Sequence, residues 1–177
     1  NKSNLNYLPP SCPCSSGSIN GSFETNCVSN NSIDFAGSCF GWTTNDGNFE
    51  IWGNGNEGVA AYHGSNYIEI NPNFPSTVHQ DFSSCEGENY YWQIAHRGRS
   101  GTQNAIFEIG PIGGPYTTLV SMTDGTSWNF YSGYYTIPAG QTGSRLRIRG
   151  VSGGSVGNFV DAVAFVRSKN QHRRHYQ

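Results

Sequence analysis

The side chains best equipped for chemistry in this chain are carboxylates and arginines set on alternating stretches. Glu50 lies opposite in phase to Phe49 and Ile51, Glu69 sits in the run from Tyr67 to Asn71, and Glu108 alternates with Phe107 and Ile109. In Arg145-Leu146-Arg147-Ile148-Arg149 the arginines share one face of a strand, because side chains along a strand alternate with a period of two. Two acids about 5–9 Å apart would suit glycoside hydrolysis. That chemistry also needs a deep cleft, and lone acids near arginines are more often ion-paired, so no enzyme is expected. Two readings of the charges stay open. They are cross-strand ion pairs covering one sheet, or an aromatic-edged platform for a polar ligand, since a strand position fixes the face but not the sheet. Ion pairing is the preferred reading.

The aromatic residues point to a second kind of chemistry. There are 4 tryptophans and 10 tyrosines, and an aromatic ring packs well on the C–H face of a sugar. Trp42 and Trp92 fall in phase with the core. Trp52, out of phase with Phe49 and Ile51, and Trp128, beside the turn at Asp124-Gly125, are the candidates for exposure. A glycan site is expected on the polar sheet face or its rim, built from Trp52, His63, Glu69 and Arg97. Two motif matches are discarded. Gly53 to Gly58 satisfies GxGxxG without a surrounding βαβ unit, and Gly153 to Gly157 satisfies GxSxG with a strand where a helix is required.

The elements that must carry these residues are short strands. Asn89 to Gly110 reads as two aromatic strands joined by a tight turn at His96 to Gly101, in the centre of a sheet. Other strands are expected at 19–24, 48–52, 59–62, 67–71, 77–82, 117–122, 127–137, 144–151 and 158–166, with 25–38 as a loop. About ten or eleven strands without a convincing helix predict an all-β antiparallel β-sandwich of the jelly-roll type. Residues 1–17, with Pro9-Pro10 and Pro13, read as an extended arm, 18–167 as the sandwich, and 168–177 as a basic, frayed tail.

Charged residues make up 12% of the chain and glycines number 23, a balance that favours turn-rich extracellular β domains. The net charge of -2 offers no general attraction for nucleic acid, and no apolar run spans a membrane. No leader is read, which leaves a mature or a cytosolic chain, and the cysteines favour secretion. They stand at 12, 14, 27, 39 and 85, without zinc-finger spacing. Cys27 and Cys39 are expected to close a local loop, and Cys85 to pair with Cys12 or Cys14 and pin the arm. An odd count leaves one thiol free or bonded to another chain.

Taken in order, Asn20-Gly21-Ser22-Phe23-Glu24, Gly41-Trp42, Gly64 with Tyr67-Ile68-Glu69-Ile70-Asn71, Gln80, His96 to Gly101, Pro138 to Thr142 and Gly157 to Val163 form a set. This set resembles the galactose-binding-like jelly-roll domains, especially calcium-containing carbohydrate-binding modules and related bacterial surface and plant cell-wall domains. The resemblance covers residues 19–166 and implies one structural Ca²⁺ held by Glu24 and Asp161. Other ligands would be carbonyls near Ser22 and the 46–50 turn, a hard-oxygen set suited to this ion. The function expected is a secreted or cell-surface, non-catalytic glycan-binding or adhesion module. The alternative is a structural subunit that assembles with copies of itself into a filament or matrix through the Cys-bearing arm.

Overall fold

A computed structural model describes residues 14–26, 28–36, 39–152 and 154–168. The chain forms β1 (Ile33–Ala36), β2 (Thr43–Thr44), β3 (Phe49–Gly53), β4 (Asn66–Glu69), β5 (Thr77–Ser83) and β6 (Asn89–Gly98). After them come β7 (Gln103–Pro111), β8 (Thr117–Asp124), β9 (Asn129–Thr136), β10 (Gly143–Gly150) and β11 (Asn158–Arg167). They make two antiparallel sheets, one of 6 strands in the order β1-β3-β4-β11-β6-β9 and one of 5 in the order β2-β5-β10-β7-β8. This is a jelly-roll sandwich. No helix among the described residues is long and apolar enough to cross a membrane.

Alternation explains the core. In β10 every second residue is buried, so Leu146 and Ile148 turn inward while the arginines turn out. Tyr90, Trp92 and Ile94 of β6 meet Phe107 and Ile109 of β7 and Val160, Val163 and Phe165 of β11 in one apolar cluster. The ring of Trp92 meets that of Phe107 edge-on with centroids 5.9 Å apart, which ties one sheet to the other. At one end of the sandwich the buried His96 joins both ring nitrogens to oxygens, Asp124 Oδ2 at 2.6 Å and Asn158 Oδ1 at 2.8 Å.

Several expectations about local pairing are corrected. The strands of the 89–110 segment do not pair: β6 lies between β11 and β9, and β7 lies between β10 and β8 in the other sheet. Their alternation is as read, but it does not choose a partner. The run Ile19 to Glu24 is a turn leading into a short 3₁₀ turn at Glu24–Asn26, with Asn20 and Phe23 at left-handed φ values of 48° and 58°. Residues 59–62 are irregular, and the first strand is Ile33–Ala36, inside the segment expected to be a loop.

Cys14 is bonded to Cys85, at a sequence separation of 71. On chain-entropy grounds a loop of that length is worth roughly 4 kcal/mol. Behind it, Ser15 N–H donates to Ser83 O at 3.1 Å and Gly17 bridges Val166, so residues 14–17 lie on the sandwich. The Cys27–Cys39 bridge is not formed. Cys39 is a buried free thiol, turned inward by its bridge with Trp42, and burial pushes its pKa up to about 12. A thiol held this way is neither nucleophilic nor placed to reach another chain. Cys12 and Cys27 lie outside the described residues.

Candidate functional site

Register places the candidate residues on the outer face of the six-stranded sheet in two rows. One row runs Phe35, Glu50, Glu69, Phe159, Arg97 across β1, β3, β4, β11 and β6. The next runs Ile33, Trp52, Tyr67 and resumes at Asp161, Ala95, Phe130 on β11, β6 and β9. Trp52 therefore faces outward, as its phase requires. It is nevertheless 0% exposed, because the loop between β3 and β4 folds back over it. Trp52, Tyr67, Phe159 and Val59 form a second small core there, with Ala61 and Trp128 packed against it. The loop turns sharply at Glu57, whose φ is 48°, between Gly55 and Gly58.

Under this cover the acids form one cluster. Glu50 and Glu69 stand directly opposite on β3 and β4, both almost fully buried. Trp52 Nε1 donates to Glu50 Oε1 at 3.1 Å, and the backbone N–H of Gly157 donates to Glu69 Oε1 at 2.6 Å. Arg99 reaches in over them: its Nη1 lies 3.2 Å from Glu69 Oε2 and 3.9 Å from Glu50 Oε1, while its Nη2 is 3.4 Å from Glu57 on the loop. Its guanidinium sits 4.7 Å from the Trp52 ring centroid. Burial, and next the facing Glu50 carboxylate, push the Glu69 pKa up to about 8, and burial raises that of Glu50. The geometry favours one proton kept between two acids beneath an arginine. Trp52 and Glu69 are thus corrected as ligand contacts: they hold the loop down and reach no solvent.

The other predicted contacts stay near the surface. Arg97 lies 5.9 Å from the Trp128 ring centroid, and burial lowers its pKa. His63 is exposed, and its backbone N–H donates to Asp161 Oδ2 at 2.8 Å. Beside them runs a group of rings of which sequence reasoning singled out Trp128 alone, and Trp128 is half-buried. Tyr62 is stacked on Phe130 with centroids 5.9 Å apart and planes 10° apart, and Trp128 meets Tyr62 edge-on at 6.1 Å. Farther along β9, Tyr134 meets Tyr91 edge-on at 5.6 Å. Tyr62 and Phe130 are each 44% exposed and Tyr134 is 68% exposed, so the strip is open to solvent. A cavity of about 380 Å³ near the end of β7 offers less ring surface, since Tyr135 is its only aromatic residue.

The residues implied for calcium converge on the other side of the same loop. Glu24 Oε1 accepts the N–H groups of Ser65 and Asn66, at 2.8 and 2.9 Å. Asp161 is fully buried at a β-bulge and accepts from His63 and, at 2.6 Å, from Ala162, which has a left-handed φ of 49°. Burial foremost, with the charge of Glu24 among the lesser causes, pushes the Asp161 pKa up to about 7. Ser22 lies two residues before Glu24 in the same turn. The 46–50 turn is corrected as a source of ligands. It stands at the far end of β3 from the Gly53–Asn66 pair, where Asp46 is taken by Asn73.

No family model matches the sequence, and no curated protein does. Solved structures match through the fold. A xylan-binding domain of carbohydrate-binding module family 22 is 17% identical, with a TM-score of 0.57 over 77% of this chain and 93% of that one. A family 61 module solved in complex with β-1,4-galactotriose is 16% identical, with a TM-score of 0.60 over 87% of this chain and 100% of that one. A Stig cyclase from Fischerella sp. TAU is 13% identical, with a TM-score of 0.59 over 85% and 96% of the two chains. The fold is therefore the jelly roll of carbohydrate-binding modules, and it is one that an enzyme also uses.

Proposed function

We propose that the protein is an extracellular carbohydrate-binding module, and that a neutral glycan lies along Tyr62, Phe130 and Tyr134. The observation that carries this reading is the open aromatic strip beside the covered loop, with Arg97 and His63 at its margin. Phe130 and Tyr134 are four residues apart on one strand, about 13 Å at the rise of an extended chain, which suits an oligosaccharide better than a single sugar. Binding rather than catalysis is supported by the burial of Glu50 and Glu69 beneath Arg99. The Cys14–Cys85 bridge supports an oxidising, extracellular setting.

Calcium belongs to the same reading. Two carboxylates share one loop junction: Glu24 accepts from Ser65 and Asn66, and the fully buried Asp161 accepts from His63 of the same loop. Among the described residues no third His, Cys, Asp or Glu joins them, so further ligands would be carbonyls, the Ser22 oxygens or water. Glu24 and Asp161 would hold the ion, which would supply charge neutralisation and tie the opening turn to β11. The residues themselves already orient the loop, since Asp161 holds the His63 amide next to Tyr62.

Affinity electrophoresis in gels containing xylan or β-1,4-galactan tests the glycan site. Tyr62→Ala with Phe130→Ala should weaken retardation at least tenfold, about 1.4 kcal/mol, without a fall in melting temperature that accounts for it. A double variant retarded like the parent moves the site elsewhere. Calcium is tested separately: a chelator should lower the melting temperature, because a ligand bound only to the native state stabilises it by mass action. An unchanged melting temperature together with metal-free protein removes calcium from the reading.

A further inference from the structure

The outer face of the five-stranded sheet carries charges that do not balance. Arg145 forks Asp81 with two bonds, Nε to Oδ1 at 2.7 Å and Nη2 to Oδ2 at 2.8 Å, so that pair is complete. Arg147 and Arg149, in contrast, share one acceptor. Both donate through Nε to Glu108 Oε1, at 2.6 and 3.3 Å, and the Glu108 side chain is 5% exposed. Their Nη groups meet no protein acceptor among the described residues. His79, opposite Arg147 in register, has its pKa lowered by burial first and by Arg145 and Arg147 next to it. Among the described residues three guanidiniums therefore face two carboxylates, and one positive charge stands uncompensated over Arg147 and Arg149.

We propose that this face is a second binding site, one that takes the carboxylate of an acidic, uronate-type glycan on the Nη groups of Arg147 and Arg149. A planar carboxylate matches the guanidinium fork, and one negative charge matches the one left over. The sugar ring has a neighbour in Tyr116, whose centroid lies 3.8 Å from the Arg147 guanidinium. Thr77, opposite Arg149, and Thr118, opposite Glu108, offer hydroxyls on the same face for sugar hydroxyls. The attraction is local, because the whole chain carries a net charge of -2 and does not draw anions in general. The site lies on the opposite sheet from the aromatic strip and does not depend on it.

The test uses gels containing polygalacturonate, polyglutamate or neutral β-1,4-galactan at low ionic strength. The parent protein should be retarded by polygalacturonate far more than by polyglutamate, and added salt should weaken the effect. Arg149→Gln should weaken retardation about tenfold and Arg147→Gln with Arg149→Gln should abolish it, with galactan retardation unchanged in both. Phe130→Ala should do the reverse, which separates failure of this site from failure of the neutral-glycan reading. Arg149 is 40% exposed and makes a single ion pair, so its variant should fold even where the double variant does not. No retardation of the parent by polygalacturonate overturns the proposal, as does equal retardation by polyglutamate or an Arg149→Gln variant that runs like the parent.

Discussion

The two outer faces of the sandwich are built from the same residue types and behave in opposite ways. On the six-stranded sheet, Glu50, Glu69 and Arg99 lie under a loop and beside a second apolar core. On the five-stranded sheet, Asp81, Glu108 and the arginines of β10 form a ladder open to solvent at its edges. In the first setting desolvation outweighs charge pairing, and a proton is retained. In the second the guanidiniums meet carboxylates in direct ion pairs, with Arg147 and Arg149 sharing the one carboxylate of Glu108. Covering a face, rather than choosing its residues, decides whether carboxylates and guanidiniums act as glue or as a binding surface.

The largest expected effect tests whether the covered face is a true core. Trp52 is fully buried against Tyr67 and Phe159, with ring centroids 6.1 and 4.8 Å away. Trp52→Ala should cost about 3–5 kcal/mol in denaturant unfolding, as for buried large-to-small changes generally. Tyr116→Ala, on the open face, should cost less than about 1 kcal/mol. Similar costs for the two would mean that the faces do not differ in this way.

The next effect reads the retained proton. Glu69 titrates near 8 in the folded protein against an ordinary value of 4.5, so over that window the folded state holds a proton that the unfolded chain has lost. Stability should then fall as pH rises from about 4.5 towards 8 and level off above it. Glu69→Gln should flatten that slope. Removing the cation should steepen it: Arg99→Met should cost roughly 2 kcal/mol at pH 8, a buried-pair loss discounted for partial exposure, and less at pH 5, where the acids can share protons. A cost for Arg99→Met that does not change between pH 5 and pH 8 would dismiss the proton-sharing account.

How far the sequence discloses this contrast depends on the residue. Alternation gave the faces of β6, β7 and β10 and the sandwich class, because one side of each strand is apolar and the other polar. Alternation could not give partners, so Asn89 to Gly110 read as a hairpin although its strands lie in different sheets. Trp52 was placed on the correct face and still misjudged. Facing outward does not mean exposed when Val59 and Ala61 of the loop that follows β3 close over it. The run Asn129–Thr136 hid the exposed rings for another reason. Phe130 and Tyr134 alternate with Tyr131 and Tyr135, so both faces are aromatic and phase carries no information. One miss had a signal: Asn20-Gly21 is a turn dipeptide, and it argued against a strand from Ile19 to Glu24. Cys39 closes no loop over 25–38 because Ile33–Ala36, inside that segment, pairs with β3 instead.

The smallest effect belongs to the open face and has the opposite sign in pH. Arg145 and Asp81 form a well-aligned forked pair, but their side chains are 25% and 37% exposed, so water screens most of the attraction. A double-mutant cycle with Arg145→Gln and Asp81→Asn should give a coupling of about 0.5 kcal/mol, shrinking in high salt. The hydrogen bonds from Arg145 hold the Asp81 pKa below its ordinary value. A carboxylate lowered in this way stabilises the folded state above its unfolded pKa and loses that contribution as pH falls through the folded one. The pair should therefore weaken only in acid, below the range in which Glu69 acts. A coupling that exceeds about 2 kcal/mol and is indifferent to salt would show that this face is as shielded as its counterpart, and the division between a covered and an open face would fail.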